Sequence, residues 1–528
     1  MNERLVADWL TKAGERGGLD VAFCQILLAR GCRVLQARHS PTENGKDIIS
    51  LEAVNGLCAY QIKSGDIDLT EFEKILPQIT ALIESAVLHP SVRSGTQHNS
   101  FLVTTGKFTE SVESRVQALN VSWRRRGYKN LTLIRGTELQ PEFVKLASDF
   151  WPENPPDTSS FYKLYLAEGK GDLDHKQFAE FLRRLMPEGK LSKPAVARRI
   201  AAAGLFSSYL LEPFNRQGDH WSAFCGWTIT AAHQAWAAEV YQLPAKQWES
   251  SFQLTKGAAL EALKRLMTET LAHKALMPHE PELDDYTRLR NTIAISAVAA
   301  WHLIQRRAGE HPASLDGAIV LVRKLVGDGR IYFWGESALP HFLTICWLLE
   351  NFGQSWMGEE LLLNIMGLLT RHNRRLSERP IASPDKLPDE VFSSLLKKRS
   401  APAAGLKHGR PAVVSWSLDP LLHLVARRMR RQALKSRWWD ITQVEMASFC
   451  PHRPADTLLW HSEHGEEKER LAGKPQSWKE LTSVAQLNDL SGLPTVLQKD
   501  PDFALMFALA YPHRASSSLV IALDKWFE

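Results

Sequence analysis

The apolar pattern of this chain changes its period once, and that change restricts it to an α/β domain followed by a helical region. Up to about residue 150, short strand-like runs alternate with segments whose apolar residues recur every three or four positions. After Trp151-Pro152-Glu153-Asn154-Pro155-Pro156, where three prolines within five residues forbid a continuous helix or ladder, almost only helical spacing remains. A chain of 528 residues also exceeds what one hydrophobic core usually serves. The expected division is therefore an α/β domain over 1–150, an all-α region over 151–380 for sensing or partner binding, an exposed loop or linker over 381–411, and a second helical subdomain over 412–528.

Within the first domain, Leu5, Val6, Trp9 and Leu10 suit one helix face, and Leu19, Phe23, Ile26 and Leu27 a second, closed by Gly31. A strand follows at Arg33–Ala37, then a turn-prone segment at 40–45. The runs 47–53 and 57–63 flank Val54-Asn55-Gly56, a β-hairpin signal. Phe72, Ile75, Leu76, Ile79, Leu82, Ile83 and Val87 predict a helix over about 70–88, kinked or started late at Pro77. Strands at 101–105 and 131–135 enclose a helix near 109–119. Beyond the prolines, helices are expected near 174–186, 193–204, 220–240, 283–308, 337–350, 357–372 and 420–436, with no fixed repeat.

Composition excludes several classes. The longest apolar stretch, 293–304, is too short for a bilayer, and the N-terminus has no secretory pattern, so a cytoplasmic protein with no membrane partner is expected. Six cysteines lie scattered without a CxxC pair, as reduced core thiols would; Cys450 and His452, with His461 and His464 nearby, are poorly spaced for zinc. A net charge of +5 is mild, but 397–437 holds eleven basic residues against the single acid Asp419.

The chemistry concentrates in the hairpin. Asp47 opens its first strand, and Gln61 and Lys63 sit two apart on the second, hence on one face. The Asp47 carboxylate, the Gln61 amide oxygen and the Ile62 backbone carbonyl are hard oxygen ligands suited to Mg²⁺ (or Mn²⁺). Lys63 would stand beside an attacking water or a phosphate, so the group Asp47, Gln61 and Lys63 suits phosphodiester hydrolysis. Each residue also has an ordinary reading, Asp47 as a backbone cap and Gln61 and Lys63 as polar residues of a half-exposed strand.

In its segments Asn44-Gly45-Lys46-Asp47-Ile48-Ile49, Tyr60-Gln61-Ile62-Lys63, Phe101 to Thr109 and Leu131 to Leu139, the chain resembles PD-(D/E)xK nucleases, and among them the Mrr-like restriction endonucleases, in which Gln commonly replaces the second acid. The resemblance covers most of 15–147 and none of the rest. It implies a restriction-endonuclease-like fold, a mixed central sheet flanked by helices, and an acid on the first core helix supporting the metal. Counting back from Gly31, that position is Asp20, where Asp stands for the family's usual Glu. Lys46 departs from the apolar residue usual before the Asp. The acids Asp66, Asp68, Glu71 and Glu73 read as charge over a helix N-terminus.

Residues 151–528 carry no Walker loop, GxSxG or HExxH. Arg427, Arg428, Arg430, Arg431, Lys435 and Arg437, followed by Trp438 and Trp439, could contact nucleic acid, or could form a solvated helix face. Residues 191–205 faintly suggest a helix-turn-helix, and the tryptophans at 221, 227, 236, 301, 334 and 347 read as core. The expectation is a metal-dependent endonuclease acting on DNA, with RNA as the other polymer, serving a bacterial restriction or antiphage system as a homodimer or with a partner defence protein. The alternative is an inactive nuclease-like scaffold that binds nucleic acid or assembles a complex.

Overall fold

A computed structural model describes residues 2–37, 44–93, 95–148, 161, 163–167, 169, 171–189, 191–273, 276, 284–372, 381–393, 414–449, 451–460, 477–487 and 489–528. The proline-rich junction, most of 381–411, and Cys450, His461 and His464 lie outside these. The chain forms two compact units, Met1–Ala262 and Leu263–Glu528. The first unit thus joins the α/β part to the helices that follow it, past the boundary expected near 150.

Helices α1 (Asn2–Lys12) and α2 (Asp20–Ala29) are separated by a π turn at Glu15–Leu19. Gly31 (φ +81°) ends α2, and Cys32 N–H closes back on the Leu27 carbonyl at 2.9 Å. Strands β1 (Arg33–Ala37), β2 (Ile48–Glu52), β3 (Gly56–Lys63), β4 (Asn99–Thr104) and β5 (Leu131–Ile134) form a five-stranded sheet in sequence order. The β1–β2 and β2–β3 pairs are antiparallel, the β3–β4 and β4–β5 pairs parallel. The sheet is mixed because β2 and β3 share a short turn, whereas α3 (Leu69–Glu84) and α4 (Glu110–Arg125) supply the crossovers that parallel neighbours need. Ala59 and Leu102 pack beneath Phe72, Ile79, Val112 and Trp123 of these helices. Tyr60 meets Phe23 of α2 edge-on.

Pro77 sits inside α3 without ending it, so the amphipathic face prevails over the missing N–H. Asp68 caps α3 through Glu71 N–H at 2.8 Å, Asp66 accepts Lys107 N–H, and Glu71 and Glu73 pair with Lys74 and Arg115. The acidic cluster is occupied by capping and ion pairing.

After α5 (Gly136–Ser148), the unit continues with α6 (His175–Leu185), α7 (Lys193–Gln217), α8 (His220–Val240) and the first part of α9 (Glu249–Leu271), whose residues from Leu263 on belong to the second unit. The segment suspected of helix-turn-helix character is the start of the uninterrupted α7, and Gly204 there makes room for Gln25 instead of a turn. Trp227 and Trp236 of α8 are fully buried.

The second unit holds α10 (Asp284–Arg307), α11 (Leu315–Gly327), α12 (Leu339–Asn351), α13 (Ser355–His372), α14 (Leu418–Arg427), α15 (Arg431–Lys435), α16 (Trp438–Ile441), α17 (Trp478–Leu487), α18 (Thr495–Lys499), α19 (Pro501–Ala510) and α20 (Ser517–Phe527). Two short strands, β6 (Val414–Ser415) and β7 (Glu445–Met446), pair in parallel. The helix expected over 420–436 breaks between α14 and α15, at Met429 with φ +55°. Trp301, Trp334 and Trp347 are core residues. No helix among the described residues is long and apolar enough to cross a membrane. Cys24, Cys58, Cys225 and Cys346 are buried free thiols whose pKa burial raises.

Candidate active site

The site forms because β3 outruns β2. The last β2–β3 pair is Ile48 with Tyr60, and Asp47 N–H still reaches the Tyr60 carbonyl at 2.9 Å, while β3 continues through Gln61, Ile62 and Lys63 against β4. The Ile62 N–H, left without a β2 carbonyl, is taken by Asp47 Oδ2 at 2.7 Å. The same oxygen accepts from Gln61 Nε2 at 2.8 Å. Both residues are buried, Asp47 at 8% and Gln61 at 4% exposure, so these bonds hold the carboxylate in one orientation where an unpaired charge would be costly.

Lys63 Nζ lies 3.3 Å from Glu15 Oε2, with side-chain exposures of 16% for the lysine and 36% for the glutamate. This pair forms the solvent-facing rim beside the buried Asp47 and Gln61. Glu15 is the acid that reaches Lys63, and the sequence reading missed it. That reading counted along a regular helix to Asp20, which opens α2 and accepts Val21 N–H at 2.8 Å. Glu15 stands five positions earlier in the π turn. The signal for it was the glycines at 14, 17 and 18, which argue against a regular helix there.

Asn44 (φ +51°) and Gly45 (φ +72°) turn the chain into Asp47. A Cβ at Gly45 would overlap the Gln78 carbonyl oxygen of α3 and sit 3.2 Å from Gln61 Oε1. Glycine is required both for the left-handed backbone and for this close approach. The adjacent Lys46 is only 2% exposed; it turns away from Asp47 and donates to the Ala81 carbonyl at 3.1 Å and the Asn44 carbonyl at 3.3 Å. His98 Nε2 lies 2.7 Å from the Leu82 carbonyl. Lys46 thus adds a second donor to the Ala81 carbonyl, which already accepts Ser85 N–H at 3.1 Å, and places its charge at the C-terminal end of α3, where a cation is favoured. Burial lowers its pKa to about 8.

The donor set suits a hard cation. Gln61 Oε1 is buried and has no hydrogen-bond partner, an orphaned acceptor a few bonds from a fixed carboxylate. As the amide stands, nitrogen faces Asp47; a half-turn would present the oxygen there instead. Among the described residues no three His, Cys, Asp or Glu side chains form a metal-binding group. A cation would therefore rest on Asp47, the Gln61 oxygen, the Ile62 carbonyl and water, with Glu15 held on Lys63.

The basic run is more divided than its sequence suggests. Arg428 is bound to Glu350 (2.5 and 2.9 Å) and Asp524 (2.5 Å), and Arg427 to Asp524 (3.1 Å) and Glu528 (2.6 Å). Arg430 pairs with Glu359. Burial opposes the Arg428 charge, yet Asp524 and Glu350 hold its pKa above the ordinary value. Of the residues read as able to contact nucleic acid, Arg427, Arg428 and Arg430 are engaged by carboxylates, whereas Arg431, Lys435 and Arg437 carry no ion pair among the described residues. No family model, curated protein or solved structure matches this chain.

Proposed function

We propose that this protein is a metal-dependent endonuclease with a restriction-endonuclease-like N-terminal domain, hydrolysing phosphodiester bonds of DNA in a bacterial restriction or antiphage setting. The observation that carries the reading is the Asp47 carboxylate fixed by Gln61 and the Ile62 N–H, with the Lys63 ammonium two residues on along the same strand. The DNA substrate and the defence setting come from the resemblance of 15–147 to Mrr-like nucleases.

Bound Mg²⁺ or Mn²⁺ would supply Lewis-acid stabilisation of the phosphate and a more acidic water. Asp47, the Gln61 amide oxygen and the Ile62 carbonyl would hold it. The Ile62 N–H keeps Asp47 from rotating. Lys63 would set its positive charge beside the phosphate oxygens, and Glu15 steadies that ammonium until substrate competes for it. Hydrolysing both strands of a duplex takes two such sites, which suits a homodimer.

The test is to incubate the full-length protein with plasmid DNA, single-stranded DNA and RNA, in Mg²⁺, Mn²⁺ or EDTA, beside Asp47→Ala and Lys63→Ala. Metal-dependent cutting that falls at least about 10²-fold in each variant is expected, the size of loss typical of a lost transition-state stabiliser. Cutting that survives both substitutions would remove this site from the reaction. Inactivity on every polymer would favour the scaffold reading.

A further inference from the structure

Glu15 reaches Lys63 from a five-residue π turn, an uncommon element that needs outside support. The support comes from a helix of the bundle beyond the sheet domain. Glu212, on α7 and only 4% exposed, accepts the Gly14 N–H through Oε1 at 3.0 Å. Its other oxygen lies against the far end of the turn: a Cβ at Gly18 would stand 2.8 Å from Oε2, and one at Gly14 3.3 Å from Oε1. One buried carboxylate therefore spans both glycines that bracket Glu15.

α7 is itself tied to its neighbours. Gly204 of α7 lies against the fully buried Gln25 of α2, and Gln25 Oε1 accepts from Ser251 of α9 at 2.9 Å. Gln234 of α8 donates to the Ile200 carbonyl of α7 at 3.0 Å and to Ser251 at 3.2 Å. A shift of α7 along or about its axis would thus be felt at Glu212.

We infer that Glu212 is a positioning residue through which the helical bundle sets the place of Glu15 and, through it, of the Lys63 ammonium. Its regulatory meaning rests on the nuclease reading; the mechanical link does not. On this link, motion of α7 changes the distance between Glu15 and Lys63 through a carboxylate set behind the turn that carries Glu15.

The experiment measures Lys63 directly. Full-length protein is trace-labelled at its lysines with an amine-acylating reagent, and mass spectrometry gives the Lys63 rate relative to the exposed Lys107 and Lys129. Glu15→Gln is expected to raise that ratio about threefold, the scale of a part-exposed ion pair. Glu212→Ala should raise it equally, and Glu15→Gln with Glu212→Ala no further, because both act through one contact. Glu212→Gln, which keeps an oxygen for Gly14 N–H, should fall between. If Glu212→Ala does not fold, Gly18→Ala, which pushes a methyl group against Oε2, carries the test with the same expected rise. A folded Glu212 or Gly18 variant with wild-type Lys63 labelling, while Glu15→Gln raises it, overturns the inference. Unchanged labelling in Glu15→Gln overturns it too. If labelling follows the expected pattern but the wild type cuts nothing, the nuclease reading fails alone. If the wild type cuts, Glu212→Ala should lower kcat and leave KM unchanged.

Discussion

Arg428→Ala separates a structural from a nucleic-acid-contacting role for the basic run. The side chains of Arg428, Glu350 and Asp524 are 10%, 12% and 0% exposed. Trp347 Nε1 also donates to Asp524 at 2.8 Å. Removing the guanidinium strands Glu350, whose pKa burial already raises against the pull of Arg428, and leaves Asp524 to Arg427 and the indole. Breaking a buried pair from one side typically costs about 3 to 5 kcal/mol. At about 2 to 4 °C per kcal/mol for a unit of this size, the Tm of the transition belonging to Leu263–Glu528 should fall by roughly 10 °C. Calorimetry on the full chain reads this directly. A solvent-facing phosphate contact would behave differently: Tm would hardly move, and the slope of log binding constant against log salt would shrink by about one. That second outcome for Arg428 would refute the argument. The exposed Arg431 and Lys435, in contrast, should be replaceable by alanine within about 0.5 kcal/mol of stability.

Two further outcomes follow from the region around Asp47. Lys46 has its folded-state pKa lowered from 10.5 to about 8 by burial, so the folded protein gives up this proton first as the pH rises. Stability should then increase between about pH 8 and 10.5, by at most about 3 kcal/mol, and Lys46→Met should lack that rise when the two are compared by urea unfolding across the window; parallel profiles would rule the assignment out. Gly45→Ala forces a left-handed residue to carry a methyl group into the Gln78 carbonyl and should cost roughly 2 to 3 kcal/mol. A loss under 0.5 kcal/mol would show that the Asn44-Gly45 turn is not held against α3.

Much of the sheet domain was readable because its signals are local. The alternation and turn chemistry of 47–63 specify the hairpin, and the spacing of Phe72, Ile75, Ile79 and Leu82 specifies α3 even across Pro77. Gln61 and Lys63 share a face in any strand, so their proximity needed no tertiary information. Elsewhere the local signal misled. The run Arg427-Arg428-Met429-Arg430-Arg431 looks like one cationic surface, yet the chain breaks at Met429, and the carboxylates of Glu350, Glu359, Asp524 and Glu528, remote in sequence, draw Arg427, Arg428 and Arg430 into ion pairs.

The sequence by itself determined the order of the five strands, the helices between them, and the presence of Asp47, Gln61 and Lys63 on one hairpin, since these depend on residue period and turn type. Only the tertiary structure decided that Ile62 N–H lies open for Asp47 where β2 stops, that the acid beside Lys63 is Glu15, and that Glu212 braces the turn carrying it. The last contact joins residues 198 positions apart. Such pairings depend on how separate elements pack, and no local pattern of side chains encodes which distant carboxylate will meet a given N–H.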